Sequence, residues 1–219
     1  QTSQWNTFNH MNKYMEGVLS CGAPLDIIGE KDNFAEYKVL VVPAYQLVDS
    51  LLVARFTKYV QEGGHLIISC RTAQKNRDGQ LWQAKWAGPI LKLIGAQIEF
   101  FDLMIPETKG IVKMKEKVYN WNNWADVLLA DSGTTSVATY ENQFYKGKIA
   151  VTFRKSGKGT VTYVGVDSEN GDLEKDVLAS VYSLAGIKTE NYPKGIFVFW
   201  RAGFNIAVNY STGYYQLLI

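Results

Sequence analysis

Two short apolar runs with a helix between them constrain the fold of this chain most. Val39–Val42 ("VLVV") and the later run "HLIISC" are continuously apolar, which is typical of strands buried on both faces of a parallel sheet. The segment between them carries an apolar stripe at helical spacing. Asp49 can cap its start, and Gly63 or Gly64 can supply the left-handed residue at its end. This order predicts a parallel β-α-β unit.

The residues around this unit extend the same pattern. A helix is predicted over residues 8–22 and closed by Gly22, and "PILKLIG" predicts a short helix followed by the strand "AQIEFF". Residues 110–142 look irregular, and "GKIAVTFRKSGKGTVTYVGV" predicts two strands joined by a glycine turn. The fold class is therefore α/β, a flavodoxin-like or class I glutamine amidotransferase-like layer with a mostly parallel sheet and helices on both faces. A last helix, "DLEKDVLASVYSLAGI", is predicted to bury Leu173, Val177, Leu178, Val181 and Leu184.

The pattern changes after Pro193. Three short alternating runs, "GIFVFWR", "FNIAVNY" and "YYQLLI", are separated by Gly203 and Gly213 and predict antiparallel strands. We therefore divide the chain into an α/β domain, residues 1–190, and a short C-terminal antiparallel β segment, residues 191–219. About thirty residues are too few to bury a core of their own. The segment is expected to pack on the first domain or to begin a β-domain that is cut short.

Composition limits the classes of partner. The 23 basic and 21 acidic residues give a net charge of +2, which argues for neither a nucleic acid nor an anionic membrane surface. No apolar stretch has the length of a membrane span. The chain starts at Gln1 without a leader pattern, so a leader was removed or the sequence is a piece of a longer protein. Cys21 and Cys70 form no disulfide framework or zinc site, no cofactor is predicted, and both a cytoplasmic and a periplasmic location are compatible.

Cys70 stands where nucleophiles of open α/β sheets are found, at the end of a strand. A cysteine hydrolase needs a glycine-flanked elbow and a histidine base. Ser69 and Arg71 flank Cys70, no histidine follows it, and His65 lies at the opposite end of the strand, roughly 16 Å away. His10 lies in the first helix, and Arg71 would lower the pKa of the thiol. A stand-alone amidotransferase-like hydrolase using Cys70 is one alternative hypothesis.

The tryptophans carry the other alternative. Trp82 and Trp86 are four residues apart in a polar loop, where they would stack on a sugar or a neighbouring subunit, or fold back on the domain. A carbohydrate-binding module would use Trp82, Trp86, Trp121 or Trp124 as a stacking platform. The run "SGKGT" resembles a phosphate loop but lacks the first glycine of that motif, and its flanks predict a hairpin turn.

An ordered set of stretches resembles one known family. "LDIIGEKDNFAEYKVLVVPAYQLVDSLLVARFTKYVQEGGHLIISCRTAQKNRDGQ" is similar to the trimerisation domain of glycoside hydrolase family 42 β-galactosidases, with its strand, its helix ending in Gly-Gly and its strand leading into an Arg-Thr loop. "AGPILKLIGAQIEFFD" and "VATYENQFYKGKIAVTFRKSGKGTVTYVGV" are similar to the next two stretches of that family. "YPKGIFVFWR" resembles the entry into its C-terminal β-domain. The resemblance covers about residues 14–211.

The resemblance implies a function without catalysis. In this family a (β/α)₈ barrel carries both catalytic glutamates, and no counterpart of that barrel is found in this sequence. The chain is therefore expected to be a non-catalytic C-terminal fragment of a β-galactosidase, a glycoside hydrolase that acts on terminal β-D-galactosides with retention of configuration. Its partners would be its own barrel and two further copies in a homotrimer that shapes access to the active site. Arg71, Trp82 and Trp86 are the residues expected at an interface or a sugar contact.

Overall fold

A computed structural model describes residues 5–105 and 107–216, and its largest feature is a nine-stranded mixed sheet. The helices are α1 (Thr7–Ser20), α2 (Ser50–Gln61), α3 (Leu91–Ile94) and α4 (Asp172–Leu184). The strands are β1 (Val39–Val42), β2 (His65–Ser69), β3 (Ala96–Leu103), β4 (Gly110–Met114), β5 (Lys117–Ala130), β6 (Thr134–Tyr140), β7 (Ile149–Ser156), β8 (Gly159–Val164), β9 (Val166–Ser168), β10 (Ile196–Arg201) and β11 (Phe204–Asn209). No helix within the described ranges is long and apolar enough to cross a membrane.

The β-α-β unit predicted from the two apolar runs is confirmed. β1 and β2 pair in parallel, and α2 connects them. The Asp49 carboxylate caps α2 by accepting the Leu52 N–H at 2.8 Å. Gly63 adopts φ +119° immediately after the helix, a conformation that a side chain would strain. β8 then pairs in parallel with the other edge of β2, so three parallel strands stand side by side.

The prediction of a mostly parallel sheet is wrong. The order of the sheet is β1-β2-β8-β7-β6-β4-β5-β3, with β9 beside β5, and parallel pairing among the described strands is confined to β1–β2 and β2–β8. The strand "AQIEFF" lies at the far edge as β3, antiparallel to β5. The physical reason is connectivity, since the neighbouring strands β4–β5, β6–β7 and β7–β8 are each joined by a short link that antiparallel strands can use and parallel strands cannot.

Residues 110–142, which look irregular in the sequence, form the strands β4, β5 and β6. Register shifts interrupt these strands, between Trp121 and Ala125 where β5 meets β9 and between Ser136 and Ala138 where β6 meets β7. Each shift breaks the period-two alternation by which a strand is recognised. The run "SGKGT" is the turn of the β7–β8 hairpin, as expected, and Gly157 adopts φ +60° there.

Two hydrophobic cores lie on the two faces of the sheet. Along β2, Leu66 and Ile68 belong to the core that α2 and α3 cover, whereas Ile67 belongs to the core that α1 and α4 cover. This alternation is what successive side chains of one strand produce. The apolar face of α4 is buried as predicted except at Leu184, which is 55% exposed because it ends the helix at the rim of an open groove.

The C-terminal segment forms a separate two-stranded sheet. β10 and β11 pair antiparallel from Ile196 opposite Asn209 to Arg201 opposite Phe204. The division at residue 190 remains a prediction, and Arg201 contacts Asp26 of the preceding part through an exposed ion pair of 3.3 Å. Residues 214–216 of the third predicted run form no strand, and residues 217–219 lie outside the described residues.

Candidate functional site

The carboxyl ends of the parallel strands bring together two groups of polar and aromatic side chains. Cys70, directly after β2, is 0% exposed. Burial, together with the charges of Asp126, Asp167 and Glu174, raises the pKa of the Cys70 thiol well above its usual range. The thiol is therefore protonated at neutral pH and out of reach of a substrate, and this contradicts the hypothesis of a hydrolase that uses Cys70. The histidine of the same strand, His65, does not pair with Cys70; its Nδ1 lies 2.9 Å from Thr160 Oγ1.

Arg71, and not Cys70, occupies the strained position of the strand end. Its φ of +64° lies in the left-handed region, which costs a non-glycine residue of the order of 1 kcal/mol or more. The backbone N–H of Cys70 still belongs to the sheet, because it donates to the Val164 carbonyl at 2.7 Å. The chain therefore turns sharply at Arg71, and this side chain contacts Trp5 and, in the middle of β5, Trp124. Backbone strain of this kind is concentrated at functional sites.

We name the group around this side chain the arginine–tryptophan cluster; it consists of Trp5, Arg71, Trp86, Phe101 and Trp124. The Arg71 guanidinium carbon lies 4.5 Å from the ring centre of Trp5 and 4.4 Å from that of Trp124. Phe101 stacks on Trp124 at 4.8 Å and on Trp86 at 4.7 Å. The cation thus contacts two indole rings that meet at 70°, and one of them, Trp124, belongs to a stack with Phe101 and Trp86.

The polar partners of this cluster are unevenly distributed. Trp124 Nε1 donates to Asp126 Oδ1 at 2.9 Å, and the Tyr163 hydroxyl donates to Asp126 Oδ2 at 2.7 Å. Burial raises the pKa of Asp126 to about 6 although these donors favour the charged form. Arg71 is only 6% exposed, yet its Nε has no acceptor among the described residues. The cluster therefore contains a buried cation that no described carboxylate contacts directly.

The tryptophans singled out in the sequence have different environments. Trp86 is half-buried in the arginine–tryptophan cluster, and Trp82 is half-buried in the loop, where its backbone N–H donates to the Gln74 carbonyl at 3.3 Å. Trp121 and Trp124 are buried, so the expectation that they offer sugar-stacking faces is wrong. Of the three residues expected at an interface or sugar contact, the structure brings Arg71 and Trp86 together against Trp124.

The second group is named the His10 cluster, and it contains His10, Lys13, Ser69, Asp167, Ser168 and Glu174. His10 Nδ1 lies 2.7 Å from Asp167 Oδ1, and His10 Nε2 lies 2.8 Å from Ser69 Oγ. Lys13 donates to Asp167 Oδ1 at 2.6 Å. Burial disfavours the Asp167 carboxylate, but these contacts outweigh that effect and lower the pKa of Asp167. The cluster links α1 to the ends of β2 and β9.

Ser69, His10 and Asp167 have the contact pattern of a serine hydrolase triad. Ser69 and His10 are each 1% exposed, and the Trp5 ring lies 4.9 Å from that of His10. Ser69 Oγ also accepts the Ala44 N–H at 2.7 Å. A substrate carbonyl has no approach to this hydroxyl, so the arrangement acts as a buried polar link between elements rather than as a nucleophile with its base.

The same residues include a possible metal donor set, because ligand atoms of His10, Asp167 and Glu174 all lie within 4.8 Å of one another. The donors are already engaged. Both ring nitrogens of His10 are hydrogen bonded, the Lys13 ammonium contacts Asp167, and Glu174 accepts the Ser168 N–H at 3.0 Å. The cluster thus contains its own cation, and its chemistry does not call for a metal ion.

Sequence reasoning missed the role of His10, which it placed in the first helix without a partner. Two signals pointed to it. His10 and Lys13 are three apart, so they share one face of α1. Asp167 and Ser168 lie three and four residues after β8 ends at Val164, and such strand ends converge at one edge of a parallel sheet. Neither signal identifies the partner, since 157 residues separate His10 from Asp167.

Comparison with known proteins supplies the wider context. Residues 1–189 match the family described as the β-galactosidase trimerisation domain. Among curated relatives, β-galactosidase BgaH of Haloferax lucentense is 27% identical over 209 residues, which are 95% of this chain and 31% of that protein. β-Galactosidase LacA of Lactobacillus acidophilus is 28% identical over 172 residues, which are 78% of this chain and 26% of that protein.

Solved structures show the same fold. The polyextremophilic β-galactosidase of Halorubrum lacusprofundi superposes with a TM-score of 0.86 at 24% identity, over 91% of this chain and 30% of that one. The β-galactosidase of Bacillus circulans sp. alkalophilus superposes with a TM-score of 0.83 at 22% identity, over 90% of this chain and 30% of that one. The chain thus spans less than a third of the length of these relatives.

Proposed function

We propose, from the premise that this chain belongs to the β-galactosidase trimerisation domain family, that it is a non-catalytic part of a β-galactosidase and serves assembly. The observation that carries the proposal is the family match over residues 1–189. The proposed parent enzyme hydrolyses terminal β-D-galactosides, as the names of the relatives suggest. The share of those relatives that the chain covers supports a separate catalytic part, for which we propose a (β/α)₈ barrel.

The buried polar groups support the absence of catalysis within the described residues. Cys70 and Ser69 are the nucleophiles at the end of β2, and both are covered by protein. The pKa of the Cys70 thiol is raised by burial, so the thiolate that a cysteine hydrolase requires is not formed at neutral pH. What remains at the strand ends is the arginine–tryptophan cluster, in which Arg71 is buried and Trp86 is half-buried, and such a cluster suits contact rather than turnover.

We further propose that the chain assembles as a homotrimer. We also propose that its α/β layer has an amidotransferase-like fold. Support for assembly comes from exposed apolar side chains, among them Leu51 on α2 and Leu184 at the rim of a groove of about 810 Å³ beside α4. Support for the amidotransferase-like layer comes from the sharp turn after β2, where Arg71 stands in place of a nucleophile. In the assembly, the strand ends with Arg71 and Trp86 would face a neighbour and limit access to its substrate site.

The catalytic half of the proposal is tested with a chromogenic β-galactoside. The purified chain is expected to give no turnover above buffer, and the Ser69→Ala and Cys70→Ala variants are expected to give the same background. Turnover by the unaltered chain that either substitution abolishes would overturn the non-catalytic role and identify the nucleophile.

The assembly half is tested by light scattering and sedimentation over a wide range of concentration. A mass three times that of the 24.6 kDa chain is expected as concentration rises. A chain that stays monomeric at every concentration would overturn assembly by this domain alone.

A further inference from the structure

Four buried hydrogen-bond donors without an acceptor come from one loop, residues 71–88 at the end of β2. They are Arg71 Nε, Gln74 Nε2, Trp82 Nε1 and Trp86 Nε1, and none has an acceptor among the described residues. All four are N–H groups, so the loop presents donors and no unpaired acceptor. Buried polar groups in native proteins are normally paired, so each unpaired donor calls for an acceptor that the described residues do not supply, and two of the four residues, Arg71 and Trp86, contact the same Trp124 ring.

Arg71 makes this ligand charged. Its guanidinium is 6% exposed, and its central carbon lies 4.5 Å from the ring centre of Trp5 and 4.4 Å from that of Trp124, two rings that meet at 70°. The N–H donors of a guanidinium lie in its plane, so an acceptor meets its edge. The acids nearby are engaged elsewhere. Both oxygens of Asp126 accept bonds from Trp124 and Tyr163, and Asp167 is held by His10 and Lys13. A buried cation without a contacting anion is unfavourable unless a partner completes it.

We propose that Arg71 is the anchor of a carboxylate-binding site. The second donor is the unpartnered indole N–H of Trp86, whose ring stacks on the same Trp124 ring that Arg71 contacts. A carboxylate fits because it is planar and meets a guanidinium edge with two parallel bonds. A phosphate dianion fits less well, since the buried Asp126 behind Arg71 adds a negative charge and the single cation of the cluster balances only one. The carboxylate is either a free acid, such as a sugar acid, or an Asp or Glu side chain of a second copy of this chain.

The site is tested on the intact chain by ¹⁵N NMR, with sodium acetate and sodium D-galacturonate as probes. The Arg71 Nε–H and Trp86 indole N–H signals are expected to shift and to saturate at probe concentrations on the order of 10 mM. The indole signal of the exposed Trp200 in the C-terminal hairpin is expected to stay in place. Sodium chloride at the same ionic strength and neutral D-galactose are the matched controls, and neither is expected to reproduce the shifts.

Two arginine variants separate recognition from charge. Arg71→Lys keeps the charge but loses the planar donor edge, and at least tenfold weaker binding of both probes is expected. Arg55→Lys is the control, because Arg55 also lies over an aromatic ring, Phe34 at 4.3 Å, but is only half-buried and donates to the Asp32 carbonyl. The Arg55→Lys variant is expected to bind both probes as tightly as the unaltered chain does. Circular dichroism and thermal unfolding confirm that both variants fold.

Sedimentation with and without acetate identifies the source of the carboxylate. NMR shifts without a change in the sedimenting mass identify the carboxylate as that of a free acid. A fall in mass when acetate is added, with the same low mass for Arg71→Lys without acetate, identifies it as a side chain of a neighbouring copy. No saturable shift together with an unchanged mass of Arg71→Lys overturns the site, as does equal binding by chloride or galactose. A monomer that binds acetate through Arg71 would keep the site while removing the assembly proposed above, so the two failures are distinguishable.

Discussion

Asp126 and Asp167 are both buried, on neighbouring strands near the same edge of the sheet, yet their pKa values move in opposite directions. Burial raises the pKa of Asp126 to about 6; its side-chain donors, Trp124 and Tyr163, are neutral, and together with the Arg71 charge, which forms no ion pair with it, they only partly offset the burial. For Asp167 the same burial is outweighed by His10 and Lys13, and the pKa falls below its usual range. Equal burial therefore has different consequences according to whether the partners carry charge.

This contrast extends to the two clusters. The His10 cluster holds the Lys13 ammonium in direct contact with Asp167, so its charges are paired, and it links α1 to β2 and β9. In the arginine–tryptophan cluster, Arg71 contacts the ring of Trp124 and forms no ion pair with a described carboxylate, although Asp126 accepts the N–H of that same Trp124. A buried cluster whose charges are paired within the chain stabilises the fold, whereas a buried cation without a contacting anion is suited to bind a partner that supplies one.

The largest effect is expected for Asp167→Asn. The substitution leaves the Lys13 ammonium and the His10 ring buried without their anion, and roughly 3–5 kcal/mol of unfolding free energy should be lost. Urea unfolding at pH 7 measures the loss. Because the pKa of Asp167 is lowered in the folded state, its contribution is present above the unfolded pKa and disappears as pH falls through the folded pKa.

The matched control for that variant is Asp49→Asn. Asp49 forms an exposed ion pair with Arg77 at 2.7 Å, and asparagine retains the ability to cap α2. A much smaller loss than for Asp167→Asn is expected. Equal losses at the two positions would show that the His10 cluster is not a stabilising unit.

The next largest effect is expected for Asp126→Asn, with the opposite sign. The folded pKa of about 6 lies above the unfolded value, so the favourable contribution of Asp126 is complete below the unfolded pKa and is lost as pH rises through 6. Asparagine does not ionise, so the variant does not bear the cost of a buried carboxylate. As pH rises from 4 to 7, its unfolding free energy should therefore rise by roughly 2–3 kcal/mol relative to that of the unaltered chain. Unfolding free energies across that range measure the difference, and parallel pH profiles would contradict the raised pKa.

A smaller effect separates two tryptophans of one stack. Trp124→Phe removes the donor to Asp126, a bond to a charged acceptor, and roughly 2 kcal/mol should be lost. Trp86→Phe keeps an aromatic ring beside Phe101 and removes only an N–H that has no described acceptor, so the loss should stay below about 1 kcal/mol. Chemical unfolding compares the two, and a larger loss for Trp86→Phe would reverse the assignment of paired and unpaired donors.

The smallest effect is expected for Arg71→Met. The two cation–π contacts are lost, but so is the burden of burying a cation without a contacting anion, and the unfolding free energy should change by less than about 1 kcal/mol. A loss comparable to that of Asp167→Asn would mean that Arg71 is a structural cation, and the contrast between the clusters would fail.

Local sequence signals were enough to predict the elements whose conformation depends on the preferences of neighbouring residues. The Asp49 cap, the glycines after α2 and the continuous runs of β1 and β2 each reflect a preference within a few residues, and the structure agrees with them. The strands β5 and β6 were missed because register shifts break the alternation, and Leu184 was misplaced because burial depends on what lies opposite the helix end.

By itself the sequence determined the β-α-β unit, the β7–β8 hairpin, the family and the improbability of a Cys70 nucleophile, since each rests on neighbouring residues or on ordered motifs. Tertiary structure alone decided that the sheet is mixed, that His10 meets Asp167 across 157 positions and that Arg71 lies between Trp5 and Trp124. The physical reason is that pairing and burial depend on distances through space. Residues far apart in the chain acquire those distances only when the sheet and its helices have packed.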